Sequence, residues 1–293
     1  IVYTYVDSQD EDWKKYWEQC FGEETYDPNR YATHQELKYS MRPINQFMPW
    51  VRKIFVVSNC KKPEWLNDAS KVIWVDHTEI FSDPQILPTF NSHAIESRLH
   101  HIAGLSENFI YFNDDVFVNQ FTHKSHFFRY HAMSINFCEP YEMVFWKREN
   151  LNEINYQCAA LNVQGLLSRD FGYTPRNLMQ HTPHALLKSV LSEIETKYHN
   201  EILCTQHNKM RGENDISMVS FLYPHYAFIH GKSMFSSQNY AIVRESNYKK
   251  IISKNQKYRF LCFNSWNEEN EDFCNTINTF WGNRYPVKPE WEI

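Results

Sequence analysis

The chain has 293 residues, 42% of them hydrophobic and 22% charged, with a net charge of -5; this is the profile of a globular protein with material for one sizeable domain. The acidic balance argues against a general binder of nucleic-acid backbone. No apolar run reaches the ~18 residues a bilayer span requires, and no secretory leader is recognisable. Only seven glycines occur, and neither GxGxxG nor GxxxxGK[S/T] can be written, which excludes a glycine cradle for phosphates. Seven scattered cysteines form no CxxC pair, and no Asn-x-Ser/Thr acceptor occurs. Reduced thiols and a cytoplasmic enzyme are the expectation. Ile1 stands inside an apparent strand, so an upstream segment is expected as well. Aromatic residues reach 16%; most should fill the core, with stacking on bases or sugars as their second use.

Four nearly continuous apolar runs, 1–6 (IVYTYV), 54–58 (IFVVS), 71–76 (KVIWVD) and 109–112 (FIYF), have the pattern of strands buried on both faces of a largely parallel sheet. Between the first two, Asp12 is placed to cap a short helix with Trp13, Tyr16 and Trp17 on its inner face. A second helix is expected over 34–47, with Leu37, Met41 and Ile44 on one side and Pro43 bending or shortening it. A third runs from Ser92 to His101. Alternation of this kind predicts a Rossmann-like α/β sheet with its site at the carboxyl ends of the strands. The stretch 119–173 is aromatic and aperiodic, with antiparallel strands conceivable at 134–138 and 142–146. Thr182-Pro183 reads as the start of a helix whose buried stripe is Leu186, Leu187, Val190, Leu191 and Ile194. A polar stretch, 207–215, precedes the apolar 216–223. The chain closes with a strand at 259–263 and an amphipathic helix at 273–281. No internal repeat or low-complexity linker is present.

The sharpest chemical signal is Asn113-Asp114-Asp115, directly after FIYF. Adjacent carboxylates emerging from a core are costly unless they meet cations or donors. A hard divalent ion such as Mg²⁺, shared with substrate phosphates, suits them, and a polar turn is the plain alternative. Upstream, Thr89, Asn91, Ser92 and His93 crowd polar groups before a helix start, an arrangement suited to an anion, with Glu96 close behind. Arg42 and Arg52 could clamp a diphosphate or decorate the surface. His181 and His184 bracket the later helix start, where a neutral imidazole could serve as a base or simply pack. Arg211 and Asp215 fall in a polar loop able to fold over a site.

Taken together, IVYTYVD (1–7), ELKYSMRPINQFMPWVRKIFVVSN (36–59), VDHTEIF (75–81) and LPTFNSHAIESRLHHIAGLSENFIYFNDDVF (87–117) strongly resemble the Stealth proteins. These are bacterial capsule polysaccharide sugar-1-phosphate transferases, similar also to the catalytic α/β subunit of the lysosomal-enzyme N-acetylglucosamine-1-phosphotransferase. HTPHALLKSVLSEIE (181–195), HNKMRGENDISMVSFLY (207–223) and RFLCFNSWNEENED (259–272) extend the likeness. Two positions depart from it: Asn264-Ser265 stands where relatives read Asn-Asp, and Tyr5 where Trp is common. The region 119–180 matches poorly, as suits a part that adapts to the acceptor.

The resemblance implies a GT-A-type sheet with an α-helical insertion in a single catalytic domain. Residues 1–120 would form the nucleotide-sugar and metal core, 121–230 the insertion and acceptor side, and 231–293 the closing segment. It implies transfer of a hexose-1-phosphate, commonly an N-acetylhexosamine-1-phosphate, from a UDP-sugar to a hydroxyl of a growing capsule polysaccharide, with release of UMP. Asp114 and Asp115 would hold Mg²⁺ or Mn²⁺, and Asp7, Arg42, Asn59, Asn91, Ser92 and Asn113 would bind the donor. Arg211 would neutralise phosphate charge, Asp215 would orient it or join the metal shell, and His93 or His184 would take the acceptor proton. The cytoplasm, with contact to the inner face of the inner membrane or a capsule assembly, is the implied location. A GT-A glycosyltransferase releasing UDP and an inactive glycan-binding module are the competing readings.

Overall fold

The computed structural model describes residues 1–22, 34–68, 71–130, 133–144, 156–264 and 270–293. Its centre is a five-stranded sheet in the order β3-β2-β1-β4-β9. Strands β1 (Val2–Thr4), β2 (Ile54–Val57), β3 (Val72–Val75) and β4 (Asn108–Asn113) run parallel, and β9 (His184–Leu187) lies antiparallel on the free edge of β4. The apolar runs of the sequence become these strands because both faces are covered. Along β4, Phe109 and Tyr111 enter one core, whereas Ile110 and Phe112 enter the other. Fully burying such a side chain stabilises by about 1.5–3 kcal/mol.

Helix α1 (Glu11–Phe21) is capped by Asp10, not by the Asp12 expected from the sequence; the Asp10 carboxylate accepts from the backbone N–H of Asp12 and Trp13 at 2.8 and 3.0 Å. Trp13 and Trp17, one turn apart, are buried and stacked with ring centroids 5.4 Å apart. Helix α2 (Glu36–Phe47) keeps Pro43 in its interior and buries Leu37, Met41 and Ile44 against the sheet. Proline there removes one i→i−4 bond without shortening the helix. The third helix is briefer than the 92–101 expected: α3 is Ser92–Glu96, followed by a separate 3₁₀ turn at Leu99–His101.

The segment 121–230 contains strands as well as helices. Strand β6 (Phe128–Arg129) and β8 (Asn177–Met179) pair antiparallel with β7 (Met133–Met143), and β10 (Ser233–Ser236) pairs parallel with it. One long strand thus stands where two short ones were expected, and Phe145 and Trp146 of the second lie outside the described residues. Helix α4 (Tyr156–Phe171) has no counterpart in the sequence reading. At 182–187 the expected helix start is strand β9; helix α5 (Lys188–Lys197) begins only after it, and α6 (His199–His207) follows. The apolar 216–223 stretch forms a π-helical turn, Met218–Leu222, that leads into α7 (Tyr223–Ile229). A third sheet, β11-β12-β5, joins Tyr240–Ile242, Phe260–Cys262 and Val116–Val118. The short α8 (Tyr248–Ser253) and the longer α9 (Glu271–Arg284) cover it, with Phe117 and Trp281 stacked at 5.2 Å.

Candidate active site

A cleft of about 410 Å³ opens at the carboxyl ends of β1, β2 and β4. Tyr5 follows β1, Asn59 follows β2, and Asn113, Asp114 and Asp115 end β4 and turn into β5. Ser92 and Glu96 of α3 close one side, while His181 and Arg211 arrive from the later half of the chain.

The two aspartates differ sharply. Burial, then the neighbouring Asp115 and Glu36 carboxylates, push the Asp114 carboxyl well above its ordinary range. Burial acts to raise Asp115 too, but the His181 imidazole and side-chain hydrogen bonds from His181, Cys262 and Asn264 outweigh it and hold the group below the ordinary value. His181 Nε2 lies 3.4 Å from Asp115 Oδ1, and Cys262 Sγ lies 3.5 Å from Oδ2. The ligand atoms of Asp115, His181 and Cys262 fall within 4.8 Å of one another. Glu36 and Glu96 add two further carboxylates to the lining. So many acidic groups facing one space fit a divalent cation, which would relieve their mutual repulsion. A second group of ligand type, His100, His101 and Glu195, is not part of this lining; both Nε2 atoms bond to one oxygen of Glu195, whose other oxygen pairs with Arg98.

Glu96 is buried, and burial raises its pKa despite His93 and Arg211 nearby. Its Oε2 has no hydrogen-bond partner among the described residues. Asn59 Nδ2, also on the cleft, is likewise buried and unpartnered. Orphaned polar atoms of this kind are rare in folded proteins and mark places where a ligand group completes the bonding. Asn113 accepts from the Tyr111 hydroxyl at 2.6 Å, and its amide stands 3.3 Å from His181 Nε2. Arg211 directs Nε and Nη2 to the Ser92 hydroxyl at 3.1 and 2.8 Å, which ties its guanidinium to α3 within the cleft lining.

Behind Arg211 lies a buried network. Asp215 is fully buried and accepts from Asn91 Nδ2 at 2.8 Å and Asn208 Nδ2 at 2.7 Å, with His93 Nδ1 at 3.3 Å. Burial works to raise its pKa, but these bonds prevail and keep the carboxylate ionised. Gly212 permits the packing: a Cβ there would lie 2.5 Å from Asn208 Nδ2.

The expected site residues therefore separate into groups. Asn59, Ser92, Asn113, Asp114, Asp115 and Arg211 line the cleft. Asp7 sits just beyond Tyr5, its carboxylate accepting from the Gln9 backbone N–H at 2.8 Å, and is not part of the lining. Asn91, His93 and Asp215 are buried behind it and hold the 208–215 loop. His184 faces the flank of the sheet, its ring parallel to that of Tyr111 at 6.1 Å, and burial pushes its pKa down to about 3. Arg42 is committed elsewhere: it forms a bidentate ion pair with Glu292, donates to the Tyr285 carbonyl at 3.0 Å and covers the Tyr39 ring. Ser265 lies outside the described residues. Of the other titratable lining residues, sequence reasoning gave Glu36 no role, set Glu96 beside the helix start without a task in the chemistry, and weighed His181 with His184 as a possible base before turning to His93 and His184. The block LPTFNSHAIES contained Glu96 and the block beginning at His181 contained that histidine, but burial and direction cannot be read from residue type.

Family models match two parts of the chain, the Stealth protein CR2 conserved region 2 over residues 30–135 and the CR3 conserved region 3 over residues 180–228. An exopolysaccharide phosphotransferase of Streptomyces coelicolor is 35% identical over 306 residues, covering all of this chain and 52% of that protein. The capsular polysaccharide phosphotransferase fcs1 of Haemophilus influenzae is 34% identical over 310 residues, covering 96% of this chain and 82% of the relative. The capsular polysaccharide phosphotransferase SacB of Neisseria meningitidis serogroup A is 35% identical over 86% of this chain and 47% of its own length. The chain thus spans about half the length of the Streptomyces and Neisseria relatives. Among solved structures, the galactosyltransferase LgtC in complex with donor and acceptor sugar analogs superposes with a TM-score of 0.50 at 9% identity, over 99% of this chain and 97% of that one. That likeness is one of fold, and it makes the α/β architecture GT-A-like. With the CR2 and CR3 regions in place and a relative matched along four-fifths of its length, the chain belongs to the Stealth family.

Proposed function

We propose that this single catalytic domain transfers a hexose-1-phosphate, of the N-acetylhexosamine class, from a UDP-sugar to a hydroxyl of a growing capsule or exopolysaccharide. The observation that carries the reading is the cleft itself. Paired aspartates, His181 and Arg211 converge at the carboxyl ends of a parallel sheet, in a chain akin to polysaccharide phosphotransferases.

In this reading the acceptor oxygen attacks the phosphorus that bears the sugar. The bridging P–O bond to UMP breaks, UMP leaves with that oxygen, and a phosphodiester remains. Positioning and charge neutralisation supply most of such catalysis. Asp114 and Asp115 would hold Mg²⁺ or Mn²⁺, with His181 beside them; the ion supplies charge neutralisation on the diphosphate. Arg211, steadied by Ser92, meets the phosphate oxygens with its planar fork. Asn59 and Asn113 orient the donor. His181 takes the acceptor proton: its side chain is 35% exposed, whereas Glu96 is 6% exposed and His93 4%. A base must first reach the proton it abstracts. Nucleotide sugars are cytoplasmic metabolites, so the reaction belongs in that compartment.

The test is incubation with UDP-N-acetylhexosamines, a hydroxyl-bearing oligosaccharide primer and a divalent cation, with mass spectrometry of both products. UMP and a primer heavier by one sugar phosphate are expected, and EDTA should stop the reaction. UDP with a primer heavier by one sugar would instead identify a glycosyltransferase. Binding without turnover would identify a glycan-binding module.

A further inference from the structure

A larger cavity, about 850 Å³, lies at the opposite end of the same strands. It is reached from the residues that precede β1 and β2, from the start of β4 and from the 123–130 turn. Five residue steps along β4 lead from its rim at Asn108 to Asn113 in the catalytic cleft, about 17 Å at strand spacing. The protein carries 35 acidic and 30 basic residues, yet the described lining of this cavity holds Arg52, Lys53, Lys124 and Arg129 and no carboxylate. No ion pair engages any of the four among the described residues. Trp50 and Tyr130 add aromatic surface, Tyr130 being 91% exposed.

Four unneutralised cations around one hollow raise the local potential and draw in an anion. Aromatic faces among them suit the C–H faces of sugar rings. A concave cavity suits a chain that enters it better than a flat lipid surface. We propose that this cavity is a second glycan site, which holds the sugar-phosphodiester polymer several units behind its reacting end. The inference rests on the function proposed above, because each transfer would add one negative charge to the polymer and so build the ligand that this cavity fits.

The experiment measures binding of a fluorescent N-acetylhexosamine-1-phosphate polymer of about ten units, with no donor present, by anisotropy at several salt concentrations. Neutral dextran of equal length and phosphatidylglycerol vesicles are run beside it. The variant is Arg52→Glu/Arg129→Glu, both exposed positions far from the cleft. We expect the wild-type protein to bind the charged polymer and to lose it with added salt, and dextran and vesicles to bind far less. The variant should lose affinity about tenfold or more, while transfer to a one- or two-sugar primer stays at the wild-type rate. Equal polymer affinity in the variant would overturn the proposal, as would equal binding of dextran or tighter binding of vesicles. Short-primer transfer with no polymer binding would overturn the cavity site and leave the proposed function standing. Salt-sensitive polymer binding lost in the variant, without transfer to any primer, would support the cavity and sink the proposed function.

Discussion

Asp114 and Asp115 are neighbours in sequence whose carboxyls are pushed in opposite directions, because only Asp115 has the hydrogen-bond donors of His181, Cys262 and Asn264. That asymmetry leaves Arg211 as the permanent cation among the described residues of a crowded acidic cleft. Arg211→Ala should therefore lower the transfer rate about 10²-fold or more, with little change in melting temperature, since preorganised donors at developing charge are worth that much. A variant within about threefold of wild type would place Arg211 outside the chemistry. His181 and His184 offer a sharper contrast. Removing a general base typically costs 10²–10⁴-fold, so His181→Ala should fall into that range. His184→Phe, which keeps a ring against Tyr111, should transfer within a fewfold of wild type. Single-turnover transfer rates distinguish the two, and the reverse order would return the base to His184.

At the scale of elements, the site depends on loops locked by buried polar groups. Gly212→Ala would drive a methyl group into Asn208, loosening its bond to Asp215 and with it the loop that carries Arg211. The expected result is a lower transfer rate and a lower melting temperature together. Normal values for both would show that the loop accommodates the methyl. Arg42→Ala should act on stability alone. It leaves the buried Glu292 carboxylate with only Lys38, 3.5 Å away, in place of a bidentate partner, and breaking a buried pair costs up to about 3–5 kcal/mol. Lost donor affinity at unchanged stability would bring Arg42 back to the diphosphate.

Much of this architecture could be read from residue order. The strands β1 to β4 are apolar on both faces, which is why their runs stood out, and the paired aspartates follow the last of them. Helix α4 escaped notice because its first buried turn is small or polar, Gln157, Cys158, Ala159 and Ala160, and only Val163 and Leu167 put larger apolar side chains on its buried face. Strand β9 was hidden because His184–Leu187 runs without a break into the helix stripe of α5, and Thr182-Pro183 imitates a helix start. Its pairing with β4 is a tertiary choice that no local pattern specifies. For the same reason Glu36 and His181 could be located in the sequence but not aimed at the cleft.

Over the whole molecule, buried imidazoles, His184 among them, weaken the fold in acid. Burial holds His77 at about 4 and His225 at about 3, far below the ordinary 6.5. An unfolded chain takes up these protons below about pH 6.5 and the native protein does not, so this stability is present above that pH and is lost as pH falls through the window toward 4. Each group contributes a slope of up to about 1.4 kcal/mol per pH unit. Urea midpoints measured from pH 7 to pH 4.5 should fall accordingly. His225→Gln should flatten the slope; an unchanged slope would mean that His225 is protonated in the folded state. Strand β9, finally, bears on how the protein is made. One of the sheet's two edge strands is also its latest in the chain, 76 positions separating the first residues of β4 and β9. A ribosome that has released residues 1–150 has delivered every carboxylate of the cleft but neither His181 nor Arg211. Until β9 emerges, β4 presents an unpaired apolar rim open to another nascent chain. Competence for chemistry and protection from aggregation therefore arrive in the same late step of synthesis, and a fragment ending before residue 180 should be both inert and prone to self-association.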